Sequence, residues 1–334
     1  MTKTSTPITR LRGLGFCLPG PEVPLAPFAG KCTGSRSLND LGQEFTYVAD
    51  VDSTELAITA AEAALKQAGC VPLDIGLVIT APTLLTPHGL DIPAVAVRAR
   101  MGLKRAETLN LSQGCIGVFA ALRLARLFLN DAQSKGDVLI VSACRATTLV
   151  DNFNHGGFYW GDGAVAMVVT NEPGSGLHFM AYAESSAEEH YGAMRIPYGD
   201  ARSYSAVDSA EDLRIRVDFH DQRAQADYIT GEQTRCAAVI DSLLDSHNLT
   251  EDDVSAIFFP SVGRKRPRML LSGHAGLRDK VASDFRYAHM GGVDVFLFLH
   301  HAIENNPKDA WYLALSPAFT AQWGGVLMRN MTSD

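Results

Sequence analysis

The chain has 334 residues, of which 46% are hydrophobic and 20% charged, and its formal net charge is −8. This is the composition of a globular protein with enough length for a large core, and the acidic balance argues against general nucleic-acid binding, which needs a basic surface. No uninterrupted apolar run reaches about 18 residues, and the amino terminus lacks the apolar core of a signal peptide. We therefore expect a cytoplasmic protein that does not enter a membrane.

Six cysteines are scattered along the chain, and no two of them form a CxxC pair. This spacing gives no sign of a zinc knuckle or of a dithiol redox motif, and scattered thiols suit a reducing compartment. We therefore expect neither a metal nor a redox cofactor.

Strands and helices alternate in the first half of the chain. The pattern predicts a strand over 8–18, and an alanine-rich helix over 53–70 with apolar residues at i, i+3 and i+4. Continuous apolar stretches predict buried strands of the parallel kind. The further predicted elements are a helix at 94–103 and strands at 75–82, 108–112, 137–144 and 161–170.

The second half repeats this alternation after a polar stretch, 185–230, which we expect to be an insertion over the site. The order indicates an α/β fold with parallel strands. A helix, then DI or DV, then an apolar strand occurs at 54–81 and again at 233–260, a weak sign of duplication. The elements predicted here are helices at 233–249, 266–277 and 291–305, a capped turn and strand over 250–261, and strands at 310–317 and 323–330.

Cys115 stands where a short predicted strand meets an apolar helix, between Gly114 and Gly117. The positive end of a helix dipole lowers a thiol pKa, and the thiolate is the reactive form. A tight strand-to-helix turn is also a recurring way to present a nucleophile. However, free cysteine is among the most buried residue types and often only packs. The local sequence leaves both interpretations open.

Four motifs in order carry a resemblance over nearly the whole chain: TPHGLDIPAVAVRARMGL (86–103), LSQGCIG (111–117), WGDGA (160–164) and WGG (323–325). Together they resemble the ketoacyl-acyl carrier protein synthase III branch of the thiolase-like superfamily. The resemblance implies a thiolase-like five-layer αβαβα fold of two similar halves, 1–172 and 173–334. It also implies a homodimer, with Cys115 as the nucleophile that accepts an acyl group.

Two positions depart from the family pattern. The family completes its site with a histidine in a PHQAN-like motif and an asparagine in a GN(T/S)-like motif. Here FFPSVGRKR places Ser261 at the first position, and FRYAHMGGVD places His289 at the second. The usual pair stabilises the enolate formed when a malonyl unit loses carbon dioxide. Serine is a weaker and shorter donor, so we expect decarboxylative carbon–carbon bond formation to be crippled.

A cysteine facing one histidine is instead the minimal set for acyl transfer, because the imidazole can activate the thiol and later accept a proton from a hydroxyl or amine. Asp294 follows His289 by five residues, across Gly291 and Gly292. Residues i and i+5 of a continuous helix do not share a face, but a turn at the glycines could direct Asp294 back to the imidazole. Alternatively, Asp294 is a charge stabilised by the helix dipole, and one carboxylate could serve both roles.

The resulting Cys115–His289–Asp294 set resembles the acyltransferase offshoot of this family, which moves acyl groups from carrier-protein thioesters to oxygen or nitrogen in natural-product assembly. By the same resemblance, His155 is expected to line the pantetheine tunnel. Phe319 or its neighbour takes a glycine position near the second oxyanion donor, where the added bulk is expected to reshape the acyl or acceptor pocket. Ser261 is expected to contact the substrate as well.

The donor is predicted from a basic cluster that falls where the family docks acyl carrier protein, whose surface is acidic. Such runs are otherwise solvated helix ends. The family's arginine for coenzyme A is here Cys32, in KCTGSR. We therefore favour an acyl-phosphopantetheine thioester on a carrier protein over coenzyme A as the donor. The cluster consists of Arg264, Lys265, Arg266 and Arg268.

Three functional hypotheses remain from the sequence. The first is an acyltransferase with a small-molecule hydroxyl or amine acceptor, in secondary-metabolite biosynthesis of the polyketide type. The second is a decarboxylating condensing enzyme in which His289 acts alone. The third is a non-catalytic partner subunit of a heterodimeric synthase, and the presence of both Cys115 and His289 argues against it.

Overall fold

The first half of the chain contains the predicted alternation of strands and helices. The computed structural model describes residues 9–29, 37–84, 92–150, 153–190, 194–195, 216–217, 222–305, 309–318 and 321–332. The helices are α1 (Leu38–Leu41), α2 (Ser53–Ala68), α3 (Pro93–Arg100) and α4 (Gly117–Leu129). The strands are β1 (Thr9–Cys17), β2 (Val23–Pro24), β3 (Phe45–Thr46), β4 (Ile75–Thr80), β5 (Glu107–Asn110), β6 (Asp137–Arg145), β7 (Asn154–His155), β8 (Phe158–Tyr159) and β9 (Asp162–Thr170).

The second half differs from the predicted elements in three places. Residues 185–230 are not wholly a polar insertion, because a long strand ends at Ser186 and a helix begins at Gln222 rather than at 233. The predicted helix over 266–277 ends at Leu270, and a 3-10 helix follows at Ala275–Lys280. The elements are β10 (Gly176–Ser186), β11 (Met194–Arg195), β12 (Arg216–Val217), α5 (Gln222–Asp245), β13 (Val254–Phe258), α6 (Arg266–Leu270), α7 (Val293–Asn305), β14 (Trp311–Ala318) and β15 (Gln322–Met331).

Nine strands form one mixed sheet in the order β13-β14-β15-β10-β1-β9-β6-β4-β5. The expected parallel pairing holds for β4 with β5 and β6, and for β13 with β14. The strands nearer the centre pair in antiparallel fashion: β1 with β9 and β10, β6 with β9, and β15 with β10 and β14. The strand order therefore mirrors itself about the β1–β10 seam, which gives the two similar halves.

Three hydrophobic cores divide this sheet and its helices into five layers. Successive strand residues face opposite sides of a sheet, so Ile140 packs in the central core while Val141 packs in an outer one. The central core contains α4 and α7, through Phe119 and Phe296, between the two halves of the sheet. Helices α2 and α3 cover the outer face of the first half, and α5 covers that of the second. This is the predicted αβαβα arrangement.

No helix within the described ranges is both long and apolar enough to cross a membrane.

Candidate active site

Cys115 lies on a strand-to-helix turn, as the sequence predicts. Strand β5 ends at Asn110, a 3-10 turn spans Gly114–Ile116, and α4 begins at Gly117. Gly114 has φ +55°, a left-handed conformation that favours glycine. The cysteine is 2% exposed and lies at the amino-terminal end of α4, where the helix dipole favours negative charge.

His289 reaches this turn from a segment 174 positions later in the chain. Its Nε2 is 3.5 Å from the sulfur of Cys115, and the residue is 2% exposed. Its backbone N–H donates to the carbonyl of Tyr159 at 2.8 Å, and its carbonyl accepts from the N–H of Gly161 at 2.9 Å. The ring packs against Trp160, with centroids 4.9 Å apart. The backbone of the first half therefore fixes a histidine of the second half.

Asp294 is the third member of the contact chain. Its Oδ2 is 2.8 Å from Nδ1 of His289 and also accepts from the backbone N–H of Ser261 at 2.8 Å. Asp294 is fully buried and lies in the first turn of α7. Both interpretations of this carboxylate are therefore compatible with its position, because it contacts the imidazole and stands at the positive end of a helix.

The two glycines between His289 and Asp294 make this geometry possible. Gly291 has φ +68°, and a Cβ there would lie 2.1 Å from Oγ1 of Thr83. A Cβ on Gly292 would lie 2.8 Å from Cγ1 of Val118 on α4. The chain reverses in so little space that only glycine fits, and Asp294 returns to the imidazole.

The charges of the site favour a protonated His289. Burial disfavours the charged ring, but the adjacent Asp294 carboxylate outweighs this and raises the pKa of His289 to about 10. The hydrogen bond with Asp294 and the proximity of Cys115 add to the same effect. With Nδ1 directed at Asp294, Nε2 is the atom that can exchange a proton with the sulfur.

Ser261 lies beside this set and contacts it through its backbone. Its N–H holds Asp294, while its hydroxyl donates to the carbonyl of Tyr287. Ser261 is completely buried. The hydroxyl therefore fixes the segment that leads to His289, and the substrate contact of Ser261 stays a prediction.

Gln43 is a site residue that the sequence analysis missed. Its buried side-chain amide donates to the carbonyl of Ser261 at 2.6 Å and to that of Tyr159 at 3.1 Å. Its Oε1 accepts from the N–H of Tyr159 at 2.9 Å, and Nε2 lies 3.4 Å from the carbonyl of Tyr287. One amide thus joins the three segments that surround His289. No local motif marks such a residue, because its partners lie more than 100 positions away.

The sequence also predicts that His155 lines the pantetheine tunnel and that Phe319 shapes the substrate pocket. His155 lies on β7, where its backbone pairs with Phe158, and its side chain is outside the described residues. Phe319 also lies outside the described residues. The strand end before it is close to the elbow, because a Cβ on Gly114 would lie 3.9 Å from Cβ of Ala318.

The basic cluster is partly neutralised by acidic neighbours. Arg266 donates to the buried carboxylate of Glu232. Lys265 pairs with Asp40 and holds the pKa of that carboxyl at about 2. Arg264 and Arg268 are exposed and form no ion pair within the part of the chain that is described. These two arginines are therefore the available charges of the cluster.

Among the described residues, no group of three histidine, cysteine, aspartate or glutamate side chains has an arrangement that could hold a metal ion.

Comparisons with known proteins agree with this fold. Residues 109–187 match the family model of 3-oxoacyl-[acyl-carrier-protein] synthase III. The β-ketoacyl-[acyl-carrier-protein] synthase III of Aliarcobacter butzleri is 25% identical over 290 residues, which are 83% of each chain. That of Serratia proteamaculans is 26% identical over 294 residues, 84% of this chain and 85% of the relative.

Solved structures show the same architecture. The acyltransferase ChlB3 is 21% identical with a TM-score of 0.82, over 98% of this chain and 99% of that one. The priming β-ketosynthase of the R1128 polyketide pathway is 18% identical with a TM-score of 0.80, and the match covers 100% of this chain and 99% of that one. The fold is therefore the thiolase fold. Along its sequence the chain is similar to ketoacyl-acyl carrier protein synthase III enzymes, which agrees with the resemblance of its motifs.

Proposed function

We propose that this enzyme is an acyltransferase of secondary metabolism, of the polyketide type. It moves an acyl group from an acyl carrier protein thioester, through Cys115, to a hydroxyl or amine of a small acceptor. The observation that carries this proposal is the buried contact chain from the sulfur of Cys115 through His289 to Asp294. A nucleophile, a base and a group that orients the base are the parts that acyl transfer requires.

In the first half-reaction, the thiolate of Cys115 attacks the thioester carbonyl and forms a new carbon–sulfur bond. The backbone N–H of Cys115, at the start of α4, is the donor proposed for the oxyanion. As the tetrahedral intermediate collapses, the carbon–sulfur bond to the carrier breaks. The carrier thiolate then receives the proton held at Nε2 of His289.

In the second half-reaction, the acceptor attacks the acyl-enzyme and loses its proton to Nε2 of His289. Acylation has by then replaced the free sulfur of Cys115, whose proximity contributes to the raised pKa of His289. The pKa of the imidazole therefore falls when it must act as a base, while Asp294 remains to stabilise the imidazolium that forms. Collapse of the second intermediate releases the product and restores the thiolate.

Condensation is the second candidate, because the curated relatives are named as synthases. Carbon–carbon bond formation from malonyl thioester needs donors for the enolate oxygen. Ser261 stands where the family has its histidine, and its hydroxyl already donates to a backbone carbonyl. His289 is engaged by Asp294 on one side and by Cys115 on the other. This arrangement favours acyl transfer to a heteroatom.

Two surfaces support the proposed partners. Arg264 and Arg268 offer exposed positive charge to an acidic carrier protein. Strand β5 lies at one edge of the sheet, and the apolar side chains of Ile92, Val95 and Leu109 nearby are exposed. An exposed edge with apolar neighbours is a surface that a second copy can cover, which supports the proposed homodimer.

The discriminating experiment loads the enzyme with a panel of acyl carrier thioesters and follows the adduct on Cys115 by intact-protein mass spectrometry. The loaded enzyme then receives either malonyl carrier protein or a panel of alcohols and amines. We expect acyl esters or amides and no release of carbon dioxide above the uncatalysed rate. Carbon dioxide release with a ketoacyl product would instead establish condensation, and absence of any adduct would support a non-catalytic subunit.

A further inference from the structure

A pocket remote from Cys115 concentrates positive charge in this acidic chain. It lies between the second half of α4, the middle of β10, the residues that follow α5 and the end of β15. Its described lining contains three arginines and a histidine, and no carboxylate. Arg126 lies nine positions after Gly117, the first residue of α4, which places it about 14 Å along the helix axis from the turn that carries Cys115. The basic lining residues are Arg123, Arg126, His247 and Arg329.

Arg126 carries its charge here without a carboxylate partner in the described structure. Its guanidinium donates to the carbonyl of Met180 at 2.9 Å and to that of Phe179, whose ring it also covers at 4.2 Å. Its Nε is buried and has no hydrogen-bond partner among the described residues. Burial lowers the pKa of Arg126 to about 10. These contacts provide hydrogen-bond acceptors and an aromatic face for the guanidinium, but no negative charge.

Arg329 approaches the same pocket from β15. It lies over the ring of Trp311 at 4.9 Å, and its closest described carboxylate oxygen, in Asp309, is 3.9 Å away. Its Nε is also buried without a partner in the described ranges. Burial lowers the pKa of His247, and the charges of Arg126 and Arg329 lower it further. Both arginines therefore disfavour the protonated form of His247.

A structural role in supporting the sheet explains only one of these basic residues, Arg126. Arg126 supports β10 where its register with β15 shifts, between Phe179 and Ala181. Arg123 has no such backbone partner among the residues that the structure describes, and its guanidinium stands 5.7 Å from the ring of Tyr182. Like charges gathered around one concavity repel each other, and an oxyanion relieves that repulsion through charge-assisted hydrogen bonds.

We infer that this pocket binds a small molecule that carries an oxyanion, either a phosphate or a carboxylate, beside an apolar group. The guanidinium fork matches both anions. The apolar group would contact Leu127, which is 59% exposed, and the neighbouring Met331. This site is separate from the acyl-transfer site and does not depend on the function proposed for it.

The test measures the thermal unfolding of the full chain in increasing inorganic phosphate or benzoate, against sodium chloride of equal ionic strength. A ligand of the native state raises Tm with concentration. The test variant combines Arg123→Gln and Arg329→Gln, which spares Arg126 and its carbonyl contacts. The matched control is Arg223→Gln, at an arginine that is 90% exposed on α5. The arm that raises Tm identifies the anion class.

We expect wild type and Arg223→Gln to respond alike. The double variant should bind the anion at least about tenfold more weakly, because the loss of one charge-assisted hydrogen bond raises Kd by about that factor. The far-ultraviolet circular dichroism spectrum without the probe should be the same for all three proteins, which shows that the double variant is folded. The inference is overturned if neither anion raises Tm beyond chloride, or if the double variant responds as wild type does.

Discussion

The proposed nucleophile and the proposed base of this site are positioned in different ways. Cys115 is placed by its own neighbours in sequence: a strand, a glycine with positive φ and the first turn of α4. His289 is placed by distant segments, through the backbone of Tyr159 and Gly161 and the carboxylate of Asp294. A locally built position can be recognised from a short motif, whereas a position built by long-range contacts depends on the whole fold.

The two constructions also respond differently to change. The turn that carries Cys115 keeps its shape if its side chain is replaced, because backbone conformation and the burial of α4 determine it. The position of His289 depends on a series of hydrogen bonds, from Gln43 through Ser261 to Asp294. Substitutions along that series should weaken catalysis less, the further the residue lies from His289. The following experiments replace the two reacting groups first and then two members of the series.

The largest effect should come from replacing the two reacting groups. Cys115→Ala removes the atom that accepts the acyl group, so we expect no adduct in the mass spectrum with any carrier thioester. His289→Ala leaves the sulfur but removes the base, and transfer to the acceptor should fall by about 10²–10⁴-fold. A Cys115→Ala protein that is acylated at the wild-type rate would place the nucleophile elsewhere. Normal transfer by His289→Ala would remove its assignment as base.

An intermediate effect is expected from Asp294→Asn, measured as transfer from the preloaded acyl-enzyme across pH. The base must be neutral, so the rate rises as pH rises through the pKa of His289. The Asp294 carboxylate raises that pKa, and its loss should therefore move the rising limb to lower pH. The plateau should fall by about 10²-fold, because the ring is no longer oriented. An unmoved limb would leave Asp294 as a helix charge only.

The smallest effect should come from Gln43→Met, which keeps the volume but removes the amide. Small displacements of a catalytic group are costly, so we expect transfer to fall by about tenfold. If Gln43 acts through Ser261 and Asp294, the pH limb should move in the same direction as in Asp294→Asn, but less. Gln133→Met, at an exposed position, is the control. A lower Tm with an unmoved limb would make Gln43 merely structural.

Much of the fold follows from local patterns. The strands at 137–144 and 161–170 and the helix after Cys115 are continuous apolar or periodic stretches, and the structure has them within a few residues. Strand β10 was missed because its exposed and buried positions do not alternate, and its pairing with β15 contains a register shift. The first turns of helix α5 escaped prediction because they carry mostly polar residues and so show no apolar periodicity.

The contact between His289 and Asp294 could be predicted from the sequence, but the residues that hold the surrounding segments in place could not. A turn at Gly291 and Gly292 could be expected to return Asp294 to His289, and the structure has this contact. The pairing of Arg266 with Glu232 joins residues 34 positions apart on two helices, and the sequence does not show it. Gln43 is likewise one glutamine among others until the fold brings three backbone segments to its amide.

The burial of Cys115 also decides which chemicals can modify it. A sulfur atom in a residue that is 2% exposed cannot meet a folded oxidoreductase or a bulky reagent at the surface. An electrophile must instead be carried inward on a slender, linear arm, as a thioester is carried on its pantetheine. Covalent inhibitors of this protein should therefore be long and unbranched. The same shielding protects the thiol from glutathione, while exposed thiols of the cell are capped under oxidative stress.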